Sequence, residues 1–338
     1  MPLITLDGAM RQLALIKVLR ACDLVRFLKA AFHEQVEQSK GWDATMLVGL
    51  GLVSLEGRTT AIRLWSERLK RFLGKYVSDP EALRRVMDET RTVLSGGGAV
   101  HFLQPSSDWT PRDLDFYCPE DQYEIFCIYI IDVLGGVVQL HQEEADMATD
   151  IHEPYRHIAI KERRVIQTRF ATFDVMCAKG MTSLFPIAHF FATHLMNFVS
   201  ASSVCIAYPH ALAQKVGVYV DGDLTAAEMM AVTKYVNRGY RLVTRYTEEE
   251  RERTDTERLF CGHKLRFFGD EHCLTVHFEL PERNIAPFEN LFSAPAPCLG
   301  WSTAWVLGGS ACETSCCAVA TRRRAQNVVA VAPSAVLV

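Results

Sequence analysis

Apolar residues recur at helical spacing through the first part of the chain: Leu13, Ile16, Leu19 and Val25 through Phe27-Leu28, then Ile62, Trp65, Leu69 and Phe72-Leu73. Steps of three and four residues gather such side chains on one helical face, so residues 1–75 are expected to form a helical region for packing or partner recognition. Gly49 to Gly57 reads as a looser apolar join. Ser78-Asp79-Pro80-Glu81 then opens a helix to about Glu89, with Ser78 as N-cap, Glu81 completing a capping box, and Leu83, Val86 and Met87 facing inward.

The period then changes. Arg91 to Ser95 is a short apolar strand running into Gly96-Gly97-Gly98, and Ala99 to Leu103 can restart as a helix. Gln104 to Pro111 has the composition of a loop, whereas Asp113-Leu114-Asp115-Phe116-Tyr117 alternates as a half-buried strand does. A helix is expected from Pro119 to about Leu134, ended by Gly135-Gly136, with a strand at Val137 to Leu140. His157 to Ile160 and Val165 to Phe170 read as a hairpin turned near Glu162-Arg163. Ile187, Phe190-Phe191, His194-Leu195 and Phe198 mark an amphipathic helix; Val204 to Ala207 and Leu274 to Leu280 read as strands. Ala226 to Asn237 is a helix with Gly239 as its stop, and Glu248 to Arg258 is a solvated charge run. From about residue 284 to 338 no period persists, and a poorly ordered tail is expected.

The candidate chemistry sits where strand, glycines and second strand follow one another. In Asp113-x-Asp115 the side chains alternate with period two, so both carboxylates share one face and can hold Mg²⁺. Gly96-Gly97, with Ser95 before them, form a turn whose backbone N–H groups can approach a triphosphate. Alone, the glycines fit any tight turn and the acids any exposed strand; their order and spacing single them out.

Val93-Leu94-Ser95-Gly96-Gly97-Gly98-Ala99-Val100 and Arg112-Asp113-Leu114-Asp115-Phe116-Tyr117 resemble the DNA polymerase β-like nucleotidyltransferase superfamily, closest to its small antibiotic-modifying and antitoxin-like branches. With Trp109 to Asp115, His189 to Phe198 and Ala207-Tyr208-Pro209, about residues 76–280 are similar to a group of fungal proteins that embed such a module. The resemblance implies an α+β fold, a mixed sheet flanked by helices. The division is then 1–75 helical region, 76–283 nucleotidyltransferase-like domain and 284–338 tail. It also implies Asp113 and Asp115 as catalytic metal ligands for Mg, Ser95, Gly96 and Gly97 as nucleotide contacts, an NTP as substrate and an unidentified acceptor. Active members carry a third carboxylate on a later strand. The corresponding strand is expected to be Val165 to Phe170, whose inward polar residue is Gln167, with Asp174 beyond it. That departure leaves two expectations: a transferase, or an inactive descendant serving as a binding or scaffold module.

Composition narrows this only a little. The formal net charge of -4 exerts no global pull toward nucleic acid or anionic membrane, and no basic, aromatic-interleaved surface is evident, so polymerase action on long DNA is not expected. No leader-like or spanning stretch is visible, since Ile125 to Leu140 is broken by Asp132 and two glycines; a cytoplasmic or nuclear protein is expected. The 11 cysteines read as reduced core thiols, Cys118 and Cys127 included. The set Cys261-Gly262-His263 with His272-Cys273 matches no common zinc spacing, and Cys312 with Cys316-Cys317 lacks a histidine. His189 and His194 read as packing histidines and Asn197 as a brace for a neighbouring strand. Arg163-Arg164 and Arg169 either face a triphosphate or coat the hairpin.

Overall fold

The computed structural model describes residues 21–139, 159–219, 226–243, 266–270, 272–280 and 303–305. Four helices come first: α1 (Ala21–Lys29), α2 (Phe32–Gln38), α3 (Ala44–Val53) and α4 (Leu55–Leu73). The expected loose join from Gly49 to Gly57 is helical on either side of one extended residue, Ser54, whose hydroxyl accepts the Gly57 N–H at 2.9 Å and so caps α4. A Cβ on Gly57 would lie 2.3 Å from the Leu50 carbonyl oxygen, so the glycine serves the close approach of α3 and α4. Helix α5 (Pro80–Glu89) is capped by Asp79 rather than Ser78. The helix starts at Pro80, and Asp79 Oδ1 accepts the Ala82 N–H at 2.9 Å. Five helices follow: α6 (Gly96–Leu103), α7 (Tyr123–Ile128) with a π-helical turn Tyr129–Val133, α8 (Phe185–Ala188), α9 (Pro209–Ala213) and α10 (Ala226–Asn237).

The strands are β1 (Val93–Ser95), β2 (Asp113–Cys118), β3 (Val137–Val138), β4 (Ile160–Gln167), β5 (Thr172–Ala178), β6 (Asn197–Val199), β7 (Ser203–Ile206), β8 (Val216–Val218), β9 (Arg241–Val243), β10 (Arg266–Phe267), β11 (Leu274–His277) and β12 (Ala304–Trp305). Eight of them form one sheet in the order β11-β7-β6-β1-β2-β5-β4-β3, antiparallel at every pairing except β2 with β5. Strand alternation divides the core in two. Leu94, Phe116, Val175, Val199 and Val204 join the N-terminal helices, through Trp65 and Phe102, in one cluster. Val93, Tyr117, Met176, Phe198 and Cys205 join Leu184, Ile187, Phe268 and Trp305 in the other. The chain is thus α+β, with its N-terminal helices packed on the same core as the sheet.

Three expectations change. The segment Ile160–Gln167 is one strand; Glu162-Arg163 lies inside it beside a register irregularity, and the hairpin closes between β4 and β5 instead. The expected amphipathic helix over 187–198 is a short helix, a 3₁₀ turn Thr193–Leu195 and then β6. Nearly every residue from Ala192 to Val199 is buried, so its apolar spacing never marked a single face. Thr303 to Trp305 of the expected tail pair with β10, and Trp305 is fully buried with its indole N–H donating to Tyr208 Oη at 3.1 Å. The rest of 284–338 lies outside the described residues, as do the Cys261–His263 part of the zinc candidate, Cys312, Cys316, Cys317 and the charge run. Among the described residues no helix is long and apolar enough to cross a membrane.

Candidate functional site

Strand β1 delivers the chain to the glycines. Ser95 pairs with Asp115 in register, and Gly96 turns at φ +57 to start α6. The turn and the acid are built around each other. The Gly97 N–H donates to Asp115 Oδ2 at 3.2 Å, and a Cβ on Gly96 would stand 2.2 Å from that same oxygen. Gly96 therefore meets two demands, a left-handed backbone and empty space beside a carboxylate. Gly96→Ala is expected to cost about 2 kcal/mol in a urea titration through backbone strain and displacement of Asp115. Gly97→Ala, whose new methyl would meet nothing nearer than 3.5 Å, should stay close to the parent.

Of the expected nucleotide contacts, Gly96 and Gly97 line this turn. Ser95 is fully buried, and its hydroxyl donates to the Asn197 carbonyl at 2.5 Å, turned to the sheet. The Asn197 side chain does not brace a neighbouring strand as expected: Asn197 begins β6, and its Nδ2 donates to the His194 carbonyl at 2.7 Å, three residues back in the turn that leads into that strand. His194 is enclosed by Tyr235 and Tyr240, at ring distances of 4.4 and 5.0 Å. Burial lowers it to about 3 and His189 to about 4, which keeps both neutral packing histidines.

Asp113 and Asp115 share one face of β2 and remain partly exposed. The parallel partner β5 sets Asp174 directly opposite Asp115. A third acid is therefore present, on a strand that local reading missed. β4 is not paired with β2, since β5 lies between them, and Gln167 is exposed at its end, bonded to Thr168, Ala171 and Thr172. Asp174 is buried and held by Arg163, with Nε to Oδ1 and Nη2 to Oδ2 both at 2.6 Å. The carboxyl of Asp115 is raised to about 7, by burial first, then by the charges of Asp174 and Asp113, with Lys234 and the Gly97 N–H opposing. Of the other expected arginines, Arg164 pairs with Glu124, and Arg169 stacks on Phe170.

The opposite rim comes from α10 and the loop before β2. The guanidinium of Arg238 lies 3.7 Å above the Trp109 ring and 5.2 Å from that of Tyr235. Its Nη1 faces Gly97 and has no hydrogen-bond partner among the described residues. No local sequence signal marks Arg238, since it reaches the turn from the far end of a helix more than a hundred residues downstream. The site thus combines a pinched carboxylate pair, a third acid in register, a helix N-terminus with glycines, and a cation over the turn.

Cys118 and Cys127 are buried free thiols, and burial raises Cys118 well above its usual range and Cys127 to about 12, so neither is a ready nucleophile. Among the described residues no group of three or more His, Cys, Asp or Glu side chains is placed to hold a metal ion, so Asp113, Asp115 and Asp174 do not together form a metal cage. No family model matches the chain, and neither a curated protein nor a solved structure matches it.

Proposed function

We propose that the chain binds a nucleoside triphosphate with Mg²⁺ and transfers its nucleoside monophosphate to a hydroxyl acceptor. The observation that carries the reading is the parallel pairing that sets Asp174 opposite Asp115, beside the glycine turn. The donor set suits Mg²⁺, which takes hard oxygen ligands and commonly needs only one or two carboxylates, its other positions going to water and phosphate. Asp113 and Asp115 would hold it, and crowding of negative charge at Asp115 is what a cation would relieve. Bound there, the ion would supply charge neutralisation at the phosphates.

The chain's own groups divide the remaining work. Gly96 and Gly97 leave room for phosphate oxygens at the start of α6, and Arg238 offers a guanidinium nitrogen on the same side. Asp174, once free of Arg163, is the base that takes the acceptor's proton. The acceptor oxygen bonds to the α-phosphorus, the bond from that phosphorus to the bridging oxygen breaks, and pyrophosphate leaves. A second reading has its own support. The two-pronged grip of Arg163 satisfies both Asp174 oxygens, as suits a nucleotide-binding or scaffold module without turnover.

Titration with ATP, GTP, CTP and UTP, with and without Mg²⁺, tests the binding. At least one should bind in an Mg²⁺-dependent manner, and Asp113→Asn/Asp115→Asn should weaken it by about tenfold or more, roughly 1.4 kcal/mol. No binding at millimolar nucleotide overturns both the transferase and the sensor. Pyrophosphate release that disappears in Asp174→Asn while binding persists identifies the transferase; binding without release in either protein identifies the module.

A further inference from the structure

A second place in the molecule collects positive charge around a partly open hollow. A cavity of about 280 Å³ lies between α2, α4 and the C-terminal half of α6. Its charged lining residues are Lys40, Arg68, Arg71 and Lys75, and no acidic residue lines it. Two of the four are balanced from outside: Glu37 pairs with both Lys40 and Arg71, and Glu67 with Arg71. Arg68 and Lys75 form no ion pair among the described residues. Arg68 spends one nitrogen on backbone carbonyls, Nη2 donating to Trp42 at 2.6 Å and to Ser39 at 3.2 Å, while Nη1 is buried with no partner.

That arrangement costs stability as it stands. Burial lowers Arg68 to about 10 against the opposing pull of the Asp43 carboxylate, so the guanidinium, 5.3 Å from the Trp65 ring, is still charged at neutral pH and its buried Nη1 is open to an anion. The walls also say what kind. Phe72 and Phe102, stacked edge to face at 5.6 Å, and the ring of His101 line the same space, so a bare inorganic ion would leave most of it unfilled. The volume falls just short of the range of about 300–1,000 Å³ usual for ligand pockets, which limits the ligand to a small one.

We infer that this cavity is a binding site for a small organic anion, a phosphate or carboxylate group on an apolar body, with the head at Arg68 and Lys75 and the body against Phe72 and Phe102. The site is separate from the carboxylate cluster, and the inference holds whether or not that cluster binds nucleotide. It nevertheless abuts the same helix: α6 starts at Gly96-Gly97 and ends beside the cavity, where the His101 ring lies 5.2 Å from that of Trp109, the ring beneath Arg238.

Calorimetric titration of the full chain with phenyl phosphate, benzoate, inorganic phosphate and benzyl alcohol tests it. At least one of the first two should bind tenfold or more tightly than both inorganic phosphate, which lacks the body, and benzyl alcohol, which lacks the charge. Which of the two wins tells the headgroups apart. Arg68→Met should abolish that binding. Because it also removes two backbone hydrogen bonds, the exposed Lys75→Glu serves as the variant that keeps the fold, and it should weaken binding by tenfold or more. Asp113→Asn/Asp115→Asn should leave it unchanged. Equal affinity for phenyl phosphate and inorganic phosphate, no binding of either organic anion, or full binding by a folded Lys75→Glu overturns the inference.

Discussion

Arg84→Ala is expected to lower the unfolding free energy by about 3–5 kcal/mol, measured by urea titration with circular dichroism, more than any surface substitution in the chain should cost. The side chain is 1% exposed and ties together elements far apart in sequence. Its Nε and Nη2 donate to the Ala201 carbonyl at 3.1 and 3.0 Å, Nη2 also to the Glu279 carbonyl at 2.6 Å, and Nη1 to Ser66 Oγ at 3.1 Å. Glu81, one turn earlier on α5, closes an ion pair at 3.2 Å. Truncation strands the buried Ala201 carbonyl, leaves the exposed Glu279 carbonyl with only Ser66 Oγ as a donor among the described residues, and opens a void the length of an arginine between α4, α5 and the sheet end. Arg84→Lys should recover only part of the loss, because one ammonium cannot reach Ala201, Glu279 and Ser66 together. Arg84→Met separates the contributions: it refills the volume, so the loss it retains belongs to the hydrogen bonds.

Arg84 also shows where sequence reading stopped. On its helix it reads as one more charge between Leu83 and Val86, and nothing nearby announces that residues 201 and 279 wait for it. Local chemistry was legible where the signal is local. The turn at Gly96, the alternation of β2 and the Ala226–Asn237 helix with its stop at Gly239, φ +80, were all visible in neighbouring residues. What failed was pairing and burial. Thr172–Ala178 is a strand buried on both faces, so it shows no alternation, and Asp174 within it passed as a residue beyond the strand. That it lies opposite Asp115 depends on a parallel partnership formed 59 positions later, which only the assembled sheet displays. The 187–198 segment failed for the related reason that full burial removes the contrast between faces on which a helical period depends. Trp305 was lost among residues of no period, although its indole fills the second core cluster.

Asp115→Asn should stabilise the protein at pH 8 in the absence of divalent metal, by about 3 kcal/mol once screening at its exposed edge is allowed for. The carboxyl is raised from 3.8 to about 7, through burial and then the charges of Asp174 and Asp113. The folded state therefore holds a proton that the unfolded chain gives up near 3.8. Stability from the neutral carboxyl is fully present below 3.8 and is lost as pH rises through about 7, after which the ionised group is a standing cost. Asparagine carries no such charge and keeps an oxygen to accept the Gly97 N–H, so its advantage should be largest above pH 7 and vanish below about 4. Thermal melts of both proteins from pH 4 to 8 measure this directly, and a constant difference across that range would mean that Asp115 is not the group titrating. Adding Mg²⁺ should reverse the order at pH 8. A cation that binds the ionised folded protein stabilises it by mass action and displaces the proton, whereas the asparagine variant has lost that ligand charge. The parent's Mg²⁺ affinity should accordingly climb with pH through about 7. If millimolar Mg²⁺ moves neither melting curve at any pH, the charge crowding at Asp115 belongs to a scaffold rather than to a metal-dependent site.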